Sequence, residues 1–435
     1  MKKRIRWLAM HGVVRALAWV GARQGDPQGR LIADPSVRAN RIPLIEELRS
    51  TGRLVRGRGG YITVDHELAH QLLRSEDFRV TKIGDALPKP LLWVLQHTEG
   101  DRLHPMQPPS LLTVEPPEHT RYRKLVSSVF TPRAVTKLRD RVEETAATLL
   151  DELGDSPGVV DIVEKYCAQL PVSIIGDMLG VPDEDRPKIL YYGELAAPSL
   201  DFGLSWKHYL QVQQGITGFS AWLEDHLQQL RRNPGDDLMS QLTQVADESG
   251  RLNELELLST AGLVLAAGFE TTVNLLGNGI RMLLDDPENL AKLTERPELW
   301  PNAVEEILRL DSPVQMTARL ALREVEIDGW RVQPGELMLI YIAGANRDPA
   351  VFEHPHTFDV ERPNAGKHLS FSGGRHFCLG AALARAEGEV GLRAFFDRYP
   401  DARLAGPGAR RDTRVLRGWA SLPVALGSAR MAVNS

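Results

Sequence analysis

The chain has 435 residues, of which 43% are hydrophobic and 25% charged, a balance typical of a soluble globular protein and incompatible with a largely disordered chain. Its formal net charge of -5 argues against a nucleic-acid-binding protein, whose affinity would come from Lys and Arg at phosphates. No linker-like segment divides the chain, so we expect one large domain over residues 26–435, preceded by a basic segment over residues 1–25.

The first 25 residues combine basic and apolar side chains. Lys2, Lys3 and Arg4 precede an apolar stretch that His11 and Arg15 interrupt. The stretch lacks a small-residue cleavage site and is too short and too charged to span a bilayer. It therefore predicts a basic amphipathic helix that packs on the rest of the protein. Contact of residues 1–20 with an anionic membrane surface is the less favoured alternative.

The sequence predicts helices, strands and loops in the following order along the chain. Helical spacing dominates the middle of the sequence, and strand patterns occur towards its two ends. The predicted elements are an extended ribbon over 54–64, a proline-rich loop over 86–117, helices over 134–153, 209–232, 255–284 and 301–310, a hairpin turning at Asp328-Gly329, a helix over 381–398 and a ribbon over 419–426. Glu270 lies inside the apolar run 257–280, which favours a buried helix over a membrane span. The fold class is therefore mainly α with a minor antiparallel β component.

The two cysteines stand in different surroundings. Cys167 lies in an ordinary helical segment and is interpreted as a small core residue, whereas Cys378 precedes a predicted helix. Two cysteines so far apart in the sequence argue against a disulfide framework. We therefore expect a protein of the reducing cytoplasm. At a helix N-terminus, free backbone N–H groups and the helix dipole favour thiolate over thiol. Cys378 is therefore a candidate metal ligand, with a buried structural cysteine as the alternative.

The loop around Cys378 suits a flat cofactor, because Gly374 and Gly380 remove side chains that would hold a ring away. The pattern Phe371-x-x-Gly374-x-x-x-Cys378-x-Gly380 resembles the haem-binding loop of the cytochrome P450 family, of the soluble actinobacterial type. The resemblance implies the single-domain fold of that family and haem b, with the Cys378 thiolate as axial ligand to iron. It also places Phe371, Gly374 and Gly380 at the cofactor.

Haem carries two propionates, which need cationic or hydrogen-bonding partners. His119 and Arg123 stand one helical turn apart and can reach one carboxylate. They match the family's propionate clamp, and His376 matches another contact of the same kind. Arg319 is a looser assignment to this group.

An acid and two hydroxyls interrupt the apolar run at Glu270, Thr271 and Thr272, after Ala267 and Gly268. Thr side chains can bond to the carbonyl one turn earlier, and a nearby glycine eases a local distortion. The resemblance implies that Ala267, Gly268 and Thr271 lie beside the haem, and that Glu270 and Thr271 deliver protons as catalytic residues. A buried helix with satisfied polar groups is the alternative.

Glu306 and Arg309 stand three residues apart on one helical face and can form an ion pair. By itself this spacing is common. The segment around Arg362 resembles the one whose arginine completes a buried Glu-Arg-Arg network in the family. We therefore assign all three residues a structural role in holding the cysteine loop.

The expected activity is a monooxygenase that inserts one atom of O2 into a hydrophobic small molecule. The chain carries no flavin or nicotinamide fingerprint, so a separate ferredoxin and ferredoxin reductase are expected to supply electrons. Candidate docking residues are Arg121, Lys124, Arg133 and Arg375, and candidate substrate walls are 91–93, 199–209, 314–316 and 418–422. The alternatives are a haem-based sensor or carrier, a haem-thiolate isomerase or peroxygenase, and a hydrolase with Cys378 as nucleophile.

Overall fold

The structure is a computed structural model that describes residues 2–85, 87–98, 103–127, 132–154, 158–244, 246–247 and 250–429, with side chains described outside 132–137, 246–247 and 250–251. The α-helices are α1 (Lys2–Trp7), α2 (Val13–Arg23), α3 (Pro27–Ala33), α4 (Pro35–Ala39), α5 (Ile42–Thr51), α6 (His66–Arg74), α7 (Lys89–Gln96), α8 (Glu118–Ser127), α9 (Pro132–Leu153), α10 (Gln169–Met178), α11 (Arg186–Ala196), α12 (Trp206–Arg232), α13 (Leu238–Gln244), α14 (Glu254–Asp285), α15 (Pro287–Glu295), α16 (Trp300–Leu310), α17 (Ile342–Ala345) and α18 (Ala381–Arg398). Short π-helical turns occupy Leu8–Gly12 and Val163–Cys167, and 3-10 turns occupy Asp183–Asp185, Ala197–Leu200, Pro297–Leu299, Ala365–Lys367 and Gly374–His376.

The strands are β1 (Val55–Gly57), β2 (Gly60–Thr63), β3 (Phe78–Val80), β4 (Val159–Asp161), β5 (Ala246–Asp247), β6 (Gly250–Arg251), β7 (Thr317–Ala321), β8 (Val325–Ile327), β9 (Trp330–Val332), β10 (Leu337–Ile340), β11 (Arg403–Leu404), β12 (Ala409–Arg410), β13 (Trp419–Ser421) and β14 (Pro423–Ala425). The largest sheet has the order β1-β2-β10-β7-β3. Its β10 pairs parallel with β2, Met338 opposite Tyr61, and its other pairs are antiparallel. The predicted class, mainly α with a minor and mostly antiparallel β component, is confirmed.

Helix α14 runs through the centre of the main core. It begins with a capping box, in which Asn253 accepts from the N–H of Glu256 and the Glu256 carboxylate accepts from the N–H of Asn253, so its first turn has satisfied donors. Leu265, Leu276 and Ile280 are fully buried. Neighbouring helices cover the apolar side chains of α14. Among the described residues, no helix is long and apolar enough to cross a membrane.

Glycines let α18 lie close to α14. A Cβ at Gly388 would stand 2.9 Å from Leu275 Cδ2, and one at Gly391 would stand 3.0 Å from Leu276 Cδ2. These distances are shorter than a carbon–carbon contact allows. The helix that follows Cys378 is therefore packed directly against the helix that carries Glu270 and Thr271.

The predicted helices are present within a few residues of their expected ends. The predicted hairpin is formed by β8 and β9, and its turn residues have φ of 49° (Asp328) and 77° (Gly329), as a type I′ turn requires. The ribbon over 54–64 is the hairpin β1–β2. The prediction that 86–117 is loop throughout was wrong, because α7 forms within it. Its Pro90 lies in the first turn, where a missing N–H costs nothing.

The N-terminal helices α1 and α2 pack on the rest of the protein, as predicted for residues 1–25. The Arg6 guanidinium is buried and donates to the carbonyls of Leu95 (3.1 Å) and Thr98 (2.8 Å). The Trp7 indole donates to Leu204 O (3.0 Å), and Arg15 donates to Gly203 O (3.0 Å). The segment thereby joins the region of α7 to the start of α12.

Candidate active site around Cys378

Backbone geometry fixes the loop before Cys378. The N–H of Cys378 donates to Phe371 O (2.9 Å), and Gly374 has φ of 63°. A Cβ on Gly374 would lie 2.7 Å from Leu73 O, so both conformation and space require glycine there. At Gly380, which immediately precedes α18, an added Cβ would meet nothing within 4 Å. The loop therefore presents Cys378 beside an open stretch of backbone, as a flat ligand would need.

Opposing influences act on the Cys378 thiol. The side chain is exposed, but the surrounding protein still desolvates the sulfur enough to raise its pKa, against the N–H of Gly380 and the positive charges of Arg123 and Arg385. The N–H of Gly380 therefore favours thiolate, as expected of a helix start, and burial acts in the opposite direction. A bound metal cation reverses this balance, since a coordinating thiol is deprotonated.

A group of cationic and polar donors lies in the same region. The rings of His119 and His376 are 4.4 Å apart between centroids. The Nε2 atoms of both rings are buried and form no hydrogen bond among the described residues. The same is true of Nη2 of Arg319. Burial lowers the pKa of His119 to about 4 and that of Arg319 to about 10. The site therefore contains buried side-chain nitrogen atoms that could bind an acceptor group of a ligand.

The acid within this group, Glu115, is already engaged. Its Oε2 atom is 3.1 Å from Arg375 Nη1. Its Oε1 atom accepts from the N–H of Val80 (2.8 Å) and lies 3.6 Å from His376 Nε2. Burial opposes ionisation of Glu115, but these donors hold its pKa at about 2. The donors of His119 and Arg319 remain for an additional anion, and the propionates of haem have that charge and chemistry. The residues therefore fit the cofactor that the sequence pattern implies.

On α14, both threonines bond to the backbone one turn earlier. Thr271 Oγ1 donates to Ala267 O (3.1 Å), and Thr272 Oγ1 donates to Gly268 O (3.3 Å). A Cβ on Gly268 would stand 2.8 Å from Ile175 Cγ1. The packing of Gly268 is therefore against α10, which gives it a reason other than the expected contact with the cofactor.

Glu270 is buried and forms an ion pair with Arg411, which donates to its Oε1. Burial raises the pKa of Glu270, while the positive charge and hydrogen bond of Arg411 act against this rise. A buried carboxyl with one cationic partner can hold or release a proton at modest cost. Sequence reasoning missed Arg411, which lies 141 positions after Glu270 and beyond the cysteine loop.

A second buried acid, Glu387 on α18, was also missed. Burial raises its pKa to about 8, and the Thr272 hydroxyl acts against this rise. Its Oε2 atom has no hydrogen-bond partner among the described residues. The signal was available, because Glu387 interrupts the apolar stripe of α18 that Leu383, Ala386 and Val390 define.

The structure brings together Glu306, Arg309 and Arg362, as the sequence predicted. Arg309 donates to Glu306 at 2.6 and 2.8 Å, and Arg362 donates to it at 3.0 and 3.1 Å. Glu306 and Arg309 are fully buried, and Arg362 nearly so. Two guanidinium groups therefore share one carboxylate out of contact with water.

Hydrogen bonds lead from this network to the cysteine loop. Arg309 donates to Asn346 O (2.9 Å), and the Asn346 side chain binds Ser370 Oγ (2.9 Å) and the N–H of Leu369 (2.8 Å). Ser370 Oγ in turn donates to Leu308 O (2.7 Å). The residues just before Phe371 are therefore tied to α16.

The expected docking residues have different surroundings. Arg121 is paired with Glu256 (3.2 Å) and Arg375 with Glu115 (3.1 Å), whereas Lys124 is exposed. The side chain of Arg133 lies outside the described residues. Of the expected substrate walls, Tyr209, Met316 and Leu422 are buried, and Trp93 is exposed and stacked on His97. Two of the four expected docking residues are therefore already paired with carboxylates.

Comparison with known proteins bears on the whole chain. The family model described as Cytochrome P450 matches residues 197–400. The chain is 66% identical, over the full length of both chains, to cytochrome P450 140 of Mycobacterium tuberculosis. The chain belongs to the cytochrome P450 family. This P450 is also 44% identical to the 6-deoxyerythronolide B hydroxylase of Saccharopolyspora erythraea, over 72% of this chain and 77% of the relative.

A solved structure agrees with this assignment. The bacillaene polyketide synthase cytochrome P450 PksS of Bacillus subtilis 168 superimposes with a TM-score of 0.79 at 31% identity, covering 90% of this P450 and 98% of that chain. The fold implied by the sequence motifs is therefore confirmed. Family membership implies haem with a cysteine thiolate ligand and an oxidoreductase activity, and the donors around Cys378 fit that cofactor.

Proposed function

We propose that this P450 is a haem-dependent monooxygenase that inserts one atom of O2 into a hydrophobic organic substrate. The observation that carries the proposal is Cys378 just before α18, near buried nitrogen atoms of His119 and Arg319 that have no hydrogen-bond partner among the described residues. Cys378 would bind the iron, and those donors, with Arg123, would bind the propionates. Bound haem supplies O2 activation, which the electron-rich thiolate ligand favours.

The residues of α14 would manage protons. Thr271 and Glu270 are adjacent, and the Thr271 hydroxyl is tied to Ala267 O (3.1 Å), which leaves its oxygen able to accept a hydrogen bond from water or substrate oxygen. Glu270 would exchange protons with solvent, because burial and Arg411 act in opposite directions on its pKa. Arg411 is then a positioning residue that keeps the acid directed away from the apolar core.

Electrons would come from a separate ferredoxin and ferredoxin reductase. The chain itself carries no flavin or nicotinamide fingerprint in its sequence. Lys124 is the exposed member of the expected docking group, and electrostatic steering of an acidic ferredoxin acts mainly on the association rate. Lys124→Gln should therefore slow reduction at low salt and leave it unchanged at high salt.

The substrate would be a polyketide-derived molecule. Two relatives carry polyketide chemistry in their names, the 6-deoxyerythronolide B hydroxylase and the polyketide synthase cytochrome P450 PksS. The expected wall segments 314–316 and 418–422 are mostly apolar, and Met316 and Leu422 are buried, which suits such a ligand. A macrolactone and a long-chain fatty acid are the first two ligands to compare.

The test is a spin-state titration with both ligands, followed by turnover with a surrogate ferredoxin and reductase. We expect substrate-dependent NADPH consumption and a product heavier by one oxygen atom. Thr271→Ala should keep ligand binding but divert NADPH consumption to peroxide. Ligand binding without product in the wild type, under conditions where the surrogate pair reduces the haem, would favour a sensor or carrier instead.

A further inference from the structure

The first 23 residues carry an unusual surface. Among the described residues, fifteen large hydrophobic side chains are exposed, and five of them lie on this short stretch: Ile5, Leu8, Leu17, Trp19 and Val20, each at least 40% exposed. We call these five side chains the N-terminal apolar patch. Scattered exposed apolar residues are normal, but a concentration of this kind marks an interaction surface.

The opposite side of the same helices packs on the rest of the protein. Arg6, Met10 and Ala18 are buried, and Arg6, Trp7 and Arg15 make hydrogen bonds to the body. The buried side of these helices therefore already packs on the protein. The N-terminal apolar patch lies on their exposed side.

Charge distinguishes this segment from the rest of the chain. Residues 1–25 contain Lys2, Lys3, Arg4, Arg6, Arg15 and Arg23 and no acidic residue, whereas the chain as a whole has a net charge of -5. Except for Arg6, these basic side chains are exposed. The Arg23 guanidinium lies over the Trp19 ring, 3.2 Å from its centroid. Cations therefore flank the apolar side chains at both ends.

We propose that the N-terminal apolar patch docks this protein on an anionic lipid surface. Helices α1 and α2 and the turn between them form a rod of about 33 Å at 1.5 Å per residue. A helical segment that exposes Trp and aliphatic side chains and carries Lys and Arg at its ends matches the headgroup region of an anionic bilayer. An acidic protein would pair with the cations but would need a groove for five apolar side chains.

Nearby apolar residues extend the same surface. Trp93 of α7 is 60% exposed, and α7 is joined to α1 through Arg6. Phe202 and Leu210 are also exposed, and they flank Gly203 and Leu204, which accept the bonds from Arg15 and Trp7. Docking would bring these segments to the lipid as well. The proposal concerns binding alone and does not depend on the monooxygenase proposal.

The test uses the full-length haem-loaded protein in vesicle co-sedimentation. We expect binding to vesicles that contain phosphatidylglycerol, little binding to pure phosphatidylcholine, and weakening as salt screens the charges. The double variant Leu8→Ser/Trp19→Ser should lower the partition coefficient about tenfold or more. Lys2→Gln and Lys3→Gln should each lower it about fivefold.

The matched control is Leu322→Ser, which removes an apolar side chain that is 53% exposed and lies outside the patch. This control should bind vesicles like the wild type. The carbon monoxide spectrum and the thermal midpoint of each variant establish that it is folded, independently of lipid. The proposal is overturned by absent binding to phosphatidylglycerol vesicles, by equal binding to both vesicle types, or by unchanged binding of the double variant. It is also overturned if Trp19→Ser converts a wild-type dimer to a monomer.

Discussion

Glu306→Gln tests how the buried ion network supports the fold. The Glu306 carboxylate accepts four hydrogen bonds from Arg309 and Arg362 and a fifth from the N–H of Asp359 (3.1 Å). Glutamine keeps the shape of the side chain but removes its charge and places an NH2 donor against guanidinium donors. Two buried cations are then left without an anion.

The expected cost follows from that burial. Breaking a buried ion pair by removing one partner costs about 3–5 kcal/mol. The lower part of that range applies, because Arg309 keeps its bonds to the carbonyls of Asn346 (2.9 Å), Pro355 (2.8 Å) and Thr357 (3.1 Å). At about 2.1 cal/mol/K of unfolding entropy per residue, a cost of about 3–4 kcal/mol lowers the thermal midpoint of a 435-residue chain by about 3–4 °C.

The assay is thermal unfolding of the haem-loaded protein, followed by circular dichroism and by the Soret band. Glu47→Gln is the matched control, since Glu47 pairs with Arg30 at 2.6 Å but is half exposed, and such pairs contribute about 0–1 kcal/mol. We also expect Glu306→Gln to retain less haem, because Arg309 and Asn346 connect this network to Ser370. Midpoints of Glu306→Gln and Glu47→Gln within 1 °C of each other would refute the reasoning.

Other predictions concern the acids of the site and the hairpin turn. Arg411→Gln should raise the pKa of Glu270 further, because burial is then less opposed; the acid limb of the turnover pH profile should move to higher pH, and Arg411→Lys should move it less. Burial holds the pKa of Glu387 at about 8, above its ordinary 4.5, so the folded protein binds a proton that the unfolded chain releases. The free energy of unfolding of the wild type should therefore fall by up to about 5 kcal/mol between pH 4.5 and pH 8. Glu387→Gln should not show this fall. A difference in thermal midpoint between the two proteins that stays constant with pH would contradict the assignment. Gly329→Ala should lower stability by about 1 kcal/mol in urea unfolding, since φ is +77° there; a stabilised variant would mean that the turn is not type I′ in solution.

Sequence patterns predicted what local chemistry decides. Helix α14 has a continuous apolar run, and the hairpin turn has Asp328-Gly329, so both are predictable without distant contacts. The Glu306–Arg309 pair is also local, at i and i+3. Arg362 was placed with them only through a resemblance, because no local rule connects it with α16.

Features that depend on distant contacts were not predictable. Arg411 reaches Glu270 across 141 positions, and only the packed fold shows the pair. At Cys378 the sequence indicated the N–H groups of the helix start, whereas the burial that raises the thiol pKa depends on the packed fold.

The measurement that tests the account most directly is the carbon monoxide difference spectrum of the reduced protein, compared between wild type and Cys378→Ser. We expect the wild type to bind haem and to show the red-shifted Soret maximum of a thiolate-ligated iron. The variant should lose that maximum, while Cys167→Ser, which changes a buried cysteine of the core, should keep it. An identical spectrum for wild type and Cys378→Ser would contradict the assignment of the site.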